Sequence, residues 1–367
     1  MTTGNKDRVV VAMSGGVDSS LTAALLLRQG YEVIGVTMQI WQADMPQDDA
    51  DNRGCCSLSA VGDARSVADK LGIPFYVMNF RDLFKEKVID YFCAEYAKGR
   101  TPNPCIACNR FVKFEALLMK SFGLGAQYLA TGHYARIAYD EQYGRHVIRK
   151  GIDIKKDQSY ALYNLTPKEL PHILMPLGDY TKVQTREMAR EIGLAVAEKP
   201  DSQEICFVPD DDYGAYLKTA IPGAIKPGNF VTSHGVVLGV HQGLPFYTVG
   251  QRKGLGIAFG KPMFVVALDP EKNEVILGED KEVLGQSLIA DDLNFIPFDK
   301  LTQPLTVAAK IRYSAKEAPA TLYPEDDGKV RVVFAQQQRA ITPGQSVVFY
   351  DGDLLIGGGV IEKQVND

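Results

Sequence analysis

Between Arg8 and about residue 205, short β-branched runs alternate with stretches of helical periodicity. Val9, Val10 and Val11 in succession predict a buried strand over Arg8–Met13. Ser14-Gly15-Gly16 breaks it, and a helical pattern runs from Ser19 to Gln29, with Gly30 where a helix C-terminal glycine belongs. The same reading predicts strands at Glu32–Met38, Phe75–Met78 and Gln127–Ala130, and helices around Val61–Leu71, Asp82–Lys98 and Phe111–Phe122. Thr181-Lys182-Val183-Gln184 has the spacing of a capping box that opens a helix to about Ile192. Strands alternating with helices predict an α/β domain with a doubly wound parallel sheet.

After about Val208 the helices thin out. Residues 222 to 280 are rich in Gly and Pro, with short strands such as Val236–Val240 and Met263–Leu268. From about Gln286 the pattern is strand and turn, as at Leu305–Tyr313, Val330–Phe334 and Ser346–Tyr350. The expected organisation is therefore an α/β domain over residues 1–208 and two smaller, mainly β domains at 209–283 and 284–367. The last of these reads as an antiparallel barrel.

Composition narrows the class. At 46% hydrophobic and 23% charged residues the chain is ordinary for a globular protein, with a net charge of −5. No apolar run approaches the ~18 residues of a membrane span, and Met1 to Arg8 is polar, so the expected location is cytoplasmic, with no membrane partner. Six cysteines are too few for a disulfide scaffold and point to metal or redox chemistry where they cluster. Mild acidity argues weakly against a non-specific nucleic-acid coat but does not exclude a nucleic-acid enzyme, because local basic patches govern binding.

Ser14-Gly15-Gly16-Val17-Asp18-Ser19 follows a strand and opens a helix, the place where open α/β sheets bind anions. The loop lacks the Gly-Lys-Ser/Thr ending of the common nucleotide P-loop, so no lysine grips a γ-phosphate; Asp18 is a candidate Mg2+ ligand beside a pyrophosphate. Thr101-Pro102-Asn103-Pro104-Cys105-Ile106-Ala107-Cys108-Asn109 reads as a stiff, proline-bounded loop that holds thiols without a helix beneath them. Asp201-Ser202-Gln203-Glu204-Ile205-Cys206-Phe207 presents another cysteine. Cys93, inside a helical pattern, reads as a small buried hydrophobe. Cys55 and Cys56 are adjacent in a polar loop and acquire no role.

The first loop resembles that of the N-type ATP pyrophosphatases, of the adenine nucleotide alpha hydrolase-like fold, which cut ATP between the α and β phosphates. Together with Asn103–Asn109, Thr131-Gly132-His133-Tyr134, Lys156–Tyr160, Asp201–Phe207, Gly254-Leu255-Gly256 and Pro343-Gly344-Gln345, it occurs in the order found in bacterial tRNA-specific 2-thiouridylases. The resemblance covers Arg8 to about Val360. It implies ATP-dependent sulfur insertion at C2 of the wobble uridine, position 34, of tRNAs for Lys, Glu and Gln. ATP would adenylate the C2 oxygen; sulfur would then displace AMP. It further implies that Cys206 carries a persulfide from a donor protein and that Cys108 is the nucleophile that frees the sulfur, leaving a Cys108–Cys206 disulfide; thiolates are the active forms.

By the same resemblance, Ala12, Met13, Ser14, Gly15, Gly16, Val17, Asp18, Ser19, Met38 and Gly132 match ATP-contacting positions. Asn103, Pro104 and Cys105 match the segment facing the target base. His133, Lys156, Asp157, Gln158, Arg312, Tyr313 and Gln345 match tRNA-contacting positions, and the base is expected to be flipped from its stack in the anticodon region. Lys310, Arg312, Lys316, Arg331 and Arg339 add basic character to the C-terminal β region, blunted by Glu317, Glu325 and Asp326. Many family members have Asp where this chain has Cys105. Cys105, Cys108 and Cys206 together would suit a 4Fe–4S cluster with one open iron, which would deliver sulfide instead of a persulfide. Two other functions compete: a small-molecule adenylating ligase of the same superfamily, and a metal-bearing RNA-binding protein without catalysis. The first leaves the cysteine loop unexplained, the second the phosphate loop.

Overall fold

Three consecutive valines set the centre of the first sheet. β1 (Arg8–Ala12) lies between β2 (Glu32–Gln39) and β4 (Tyr128–Ala130), so Val9, Val10 and Val11 are wholly buried, as a strand covered on both faces requires. With β3 (Phe75–Asn79) and β7 (Ile173–Leu174) the order is β3-β2-β1-β4-β7, and every pairing is parallel. The chain fills one side of β1 with β2 and β3, then crosses to the other with β4. The gap between the carboxyl ends of β1 and β4 is therefore the switch point, where such sheets bind ligands.

This computed structural model describes residues 7–41, 58–201, 205–208, 212–257 and 260–365. Cys55, Cys56 and Ser202-Gln203-Glu204 of the downstream cysteine motif lie outside the described residues. The chain divides into two units, one of Met1–Val88, Cys105–Asp211 and Asp353–Leu355, the other of Ile89–Pro104, Asp212–Gly352 and Ile356–Asp367.

In the first unit, α1 (Val17–Arg28) and α2 (Leu58–Leu71) pack small side chains against the sheet, Ala23, Ala64 and Ala68 among Val9, Val11 and Leu26. Two buried hydroxyls on α1 satisfy themselves locally: Ser20 Oγ donates to Gly16 O (2.8 Å) and Thr22 Oγ1 to Asp18 O (2.9 Å). α3 (Lys182–Glu191) begins with the expected capping box, Gln184 N donating to Thr181 Oγ1 and Thr181 N to Gln184 Oε1. A hairpin of β5 (Ala135–Asp140) and β6 (Arg145–Lys150), absent from the sequence reading, follows β4.

The expected parallel sheet followed by β domains is what the structure has. In the second unit, β8 (Gly228–Thr232), β9 (Val237–His241), β10 (Phe264–Asp269) and β11 (Glu274–Gly278) form a sheet in the order β10-β11-β8-β9 around Phe230, Tyr247, Val265 and Leu277. A six-stranded antiparallel barrel follows, of β12 (Leu284–Phe295), β13 (Leu305–Lys310), β14 (Ala318–Pro324), β15 (Val330–Arg339), β16 (Ser346–Asp351) and β17 (Leu354–Val365). Pairing of β12 with β17 closes it. Alternate residues fill its interior, Val330, Val332 and Phe334 on β15 being buried while Arg331 and Val333 are half-buried.

The helix expected over 82–98 is interrupted: Arg81–Phe84 and Tyr91–Ala97 are α-helical, and Lys85–Asp90 between them is π-helical. The Tyr91–Ala97 piece belongs to the second unit, where Tyr96 stacks on Tyr213 (centroids 5.7 Å apart) and Phe92 meets Tyr216 edge-on (6.4 Å) across from α4 (Tyr213–Ala220). Cys93 is buried there, as its helical setting predicts. Among the described residues no helix is long and apolar enough to cross a membrane.

Thr181→Ala removes half of the box that starts α3. The expected cost is about 1 kcal/mol, read as a lower urea midpoint for loss of helical signal.

Candidate active site

At the switch point the chain must turn from β1 into α1 within four residues. Gly15 makes this feasible with φ +68°, and a Cβ there would lie 2.2 Å from the Ala60 carbonyl oxygen. Gly16 is the N-cap of α1 and offers no side-chain cap to its opening N–H groups, the kind of helix end at which anions bind in general. Ser19 Oγ accepts from Ser14 N (3.1 Å) and so ties the two ends of the loop. From the neighbouring strand end, Gly132 approaches the first turn of α1 so closely that a Cβ would be 2.8 Å from both Asp18 C and Ser19 N.

The result is a cleft with about 670 Å³ of empty space, open solvent included. Ala12, Met13, Ser14, Asp18 and Ser19 line one wall, Val36 and Met38 a second, and Lys113, Thr131, Gly132, His133 and Gln158 the rest. Seven of the ten candidate ATP positions thus meet there. Gly15, Gly16 and Val17 are not among the lining residues.

Charge in this region is organised by Lys182, at the first position of α3 and 9% exposed. Its Nζ donates to both carboxylate oxygens of Asp18 (2.8 Å each) and lies 2.8 Å from Asp201 Oδ1. An ammonium at a helix N-terminus opposes the helix dipole, and burial adds a desolvation cost; two carboxylates offset both. Tyr134 Oη donates to Asp18 Oδ1 (2.8 Å), and burial together with the Asp18 charge pushes the phenol well above its ordinary range. Asp201 also receives Lys156 Nζ (2.7 Å) and Arg186 Nη2 (3.1 Å). Burial works to raise the Asp201 pKa, but the hydrogen bonds and charges of Lys156 and Lys182 outweigh it and hold the carboxyl below the usual range. Lys199 Nζ reaches Gly15 O (3.2 Å) and Asp63 Oδ2 (2.6 Å), bracing the loop from behind. His133 packs against Phe114 (5.7 Å) with Nδ1 2.8 Å from Thr131 Oγ1; burial first, and the Lys113 charge second, hold its pKa well below 6.5 and the ring neutral.

The cysteine segment differs from the expected loop. A helix starts at Pro104, whose fixed φ suits the first helical position. Cys105 stands in its opening turn, Pro104–Ala107, and Cys108 begins the π-helical stretch Cys108–Leu117. Cys105 is exposed and Cys108 half-buried. Cys206 is half-buried on a turn closed by Val208 N to Ile205 O (3.0 Å), next to Phe207, which packs edge-on against Phe84 (5.8 Å). No disulfide joins Cys108 to Cys206. Among the described residues no group of three or more His, Cys, Asp or Glu side chains is arranged to hold a metal, so Cys105, Cys108 and Cys206 are not assembled as a cluster ligand set.

The candidate tRNA positions fall in different surroundings. Gln158 faces the cleft and accepts Tyr134 N (3.0 Å), while Asp157 accepts Gly151 N (3.0 Å) and Ser159 Oγ (2.7 Å), shaping the turn between them. His133 is in the cleft wall. Gln345 Nε2 donates to Thr101 O (2.9 Å) and Pro343 O accepts Thr101 N (2.9 Å), which fixes the backbone two residues before half-buried Asn103. Tyr313 is exposed, with Lys310 Nζ 5.4 Å from its ring centre, and Arg312 beside it is half-buried. Arg339 pairs with Asp280 (2.5 Å) and Arg331 with Glu325 (3.6 Å), so these two basic residues are partly neutralised. The sequence reading missed Lys182, Lys113 and Lys199. Lys182 had one local signal, a cation directly after a capping threonine, where acids are preferred.

Three family models match along the chain: a tRNA methyl transferase HUP domain over residues 7–210, a tRNA methyl transferase PRC-barrel domain over 214–279 and an aminomethyltransferase beta-barrel domain over 285–361. A tRNA-specific 2-thiouridylase MnmA of Acetivibrio thermocellus is 62% identical over 98% of this chain and 100% of its own length. The chain belongs to the tRNA-specific 2-thiouridylase family. Relatives of the same name from Carboxydothermus hydrogenoformans (59% identical, 98% of this chain, 99% of theirs) and Clostridium acetobutylicum (60%, 97% and 99%) match end to end as well. The family membership thus extends over both the cleft and the β regions.

Lys182→Met leaves Asp18 and Asp201 facing each other without their shared cation. The expected loss is about 3 kcal/mol of stability, read from urea unfolding. Because the Asp201 pKa is depressed on folding, its contribution is complete above the unfolded value of about 4 and is lost as pH falls through the folded value. Asp201→Asn should therefore show a flatter acid limb below about pH 4 in thermal melts than the native chain.

Proposed function

We propose that this chain is a tRNA-uridine 2-sulfurtransferase that uses ATP to replace the C2 oxygen of the wobble uridine with sulfur in tRNAs for Lys, Glu and Gln. The reading rests on the end-to-end match, 62% identical over 98% of the chain, to a relative named tRNA-specific 2-thiouridylase. The cleft supports it chemically: Asp18 and Ser19 of the first turn of α1, a helix without a side-chain cap, line it, and such a helix end favours phosphate. A carbonyl oxygen is a poor leaving group and a phosphate ester a good one. ATP therefore serves to adenylate the C2 oxygen with loss of pyrophosphate.

The phosphates of ATP would bring Mg2+, and Asp18 is the carboxylate at hand for it, in exchange with Lys182. Sulfur would reach the site as a persulfide on Cys206 from a donor protein. The Cys108 thiolate attacks the Cys206 Sγ, the S–S bond of the persulfide breaks, and hydrosulfide leaves. The two cysteines are oxidised to a disulfide as the outer sulfur is reduced to sulfide. Hydrosulfide then bonds to C2 and AMP departs with the C2–O electron pair. Half-buried Arg312 with exposed Tyr313, and the Asn103–Cys105 segment, are our candidates for contact with the anticodon arm, and the cytoplasm is the compartment that fits a tRNA substrate and reduced thiols. Because the three cysteines are not gathered as ligands, no step is assigned to an iron–sulfur cluster.

Anaerobically prepared protein, supplied with ATP, tRNA and a persulfide donor, tests this. Pyrophosphate release should require tRNA. Cys108→Ser and Cys206→Ser should keep that release and lose thiolation to background, while Cys105→Ser keeps most of both. Iron that tracks activity and disappears with Cys105→Ser would replace the persulfide route. Pyrophosphate release with a small substrate and no RNA would replace the reading altogether.

A further inference from the structure

The ionisable side chains that line the cleft, among the described residues, are Asp18, Lys113 and His133. Asp18 is engaged by Lys182, which itself lies outside the lining and is shared with Asp201. His133 is held neutral by its burial and by the nearby Lys113 charge. Positive charge on the cleft wall therefore comes from Lys113.

Its placement is built. Asn109 is 4% exposed and donates Nδ2 to Ala161 O (2.9 Å), which fixes the amide and leaves Oδ1 to accept Lys113 Nζ (2.9 Å). Asn109 and Lys113 are four apart on the π-helical stretch that begins with Cys108. One helical element thus carries the thiol, an oriented amide beside it in sequence, and an ammonium in the cleft.

We propose that Lys113 is a catalytic residue of the reaction read above, on which this inference rests: its ammonium binds the α-phosphate and stays on it through both chemical steps. In the first, the C2 oxygen bonds to the α-phosphorus and the bond to the bridging oxygen breaks, the electron pair leaving with pyrophosphate. In the second, sulfur bonds to C2 and the C2–O bond breaks, the pair leaving on the AMP phosphate. Lys113 keeps its proton throughout. The opening N–H groups of α1 serve the departing pyrophosphate, so the two phosphate groups have separate electrostatic partners. Through Asn109 the ammonium also ties the reacting phosphate to the helix that bears Cys108.

Native protein, Lys113→Met, Lys113→Gln and Lys113→Arg are compared for folding by thermal melts, for ATP affinity by calorimetry, and for tRNA-dependent pyrophosphate release and thiolation. The neutral variants should lower the turnover of pyrophosphate release by about 100-fold, with ATP affinity falling less than about tenfold and Lys113→Arg retaining more activity than either. Pyrophosphate release within about threefold of native in a folded neutral variant, or a loss confined to ATP affinity, overturns the inference and leaves the thiolation reading standing. Absence of tRNA-dependent pyrophosphate release from the native protein defeats that reading, and the inference with it.

Discussion

A buried ammonium between two carboxylates sets the geometry of the nucleotide end of this protein. Lys182 cannot leave water unless Asp18 and Asp201 come to it, and each belongs to a different part of the chain. Asp18 is in the first turn of α1, Lys182 opens α3, and Asp201 stands five residues before Cys206. One ion network therefore fixes α1, α3 and the approach to a thiol. Removing Lys182 takes from Asp18 the cation that both of its oxygens accept, while Asp201 keeps Lys156 and Arg186.

The close approaches around it follow from residue size. Gly132 lets the strand after-turn touch the α1 backbone, and Gly15 takes a left-handed conformation under the Ala60 carbonyl. Tyr134 then fills the space above Asp18 with its hydroxyl turned to the carboxylate. Backbone conformation and charge favour the same position for the loop.

Much of this was legible in the sequence, for identifiable reasons. The triple valine of β1, the Ser14–Ser19 loop and the Thr181–Gln184 box are local patterns, and each appears where its periodicity or spacing puts it. What escaped was non-local. Nothing near Lys182 announces Asp18, 164 residues away, and nothing near Gln345 announces the Thr101 carbonyl 244 residues away. The cysteine segment was misread because two prolines suggest extended chain, whereas the second of them starts a helix. The π-helical stretches also escaped, since an added residue in a turn shifts the periodicity by which helices are recognised.

The strip Ile89–Pro104 interrupts the first unit in sequence yet belongs to the second. Its aromatic side chains, Phe92 and Tyr96, are covered by Tyr213 and Tyr216, and its end is pinned by Pro343 and Gln345. A gene cut after residue 208 would therefore not yield a self-sufficient nucleotide-binding half. It would yield one trailing a greasy, unpinned ribbon just ahead of Cys105. Constructing a minimal active fragment would mean keeping both halves on one polypeptide, or supplying the missing half in trans.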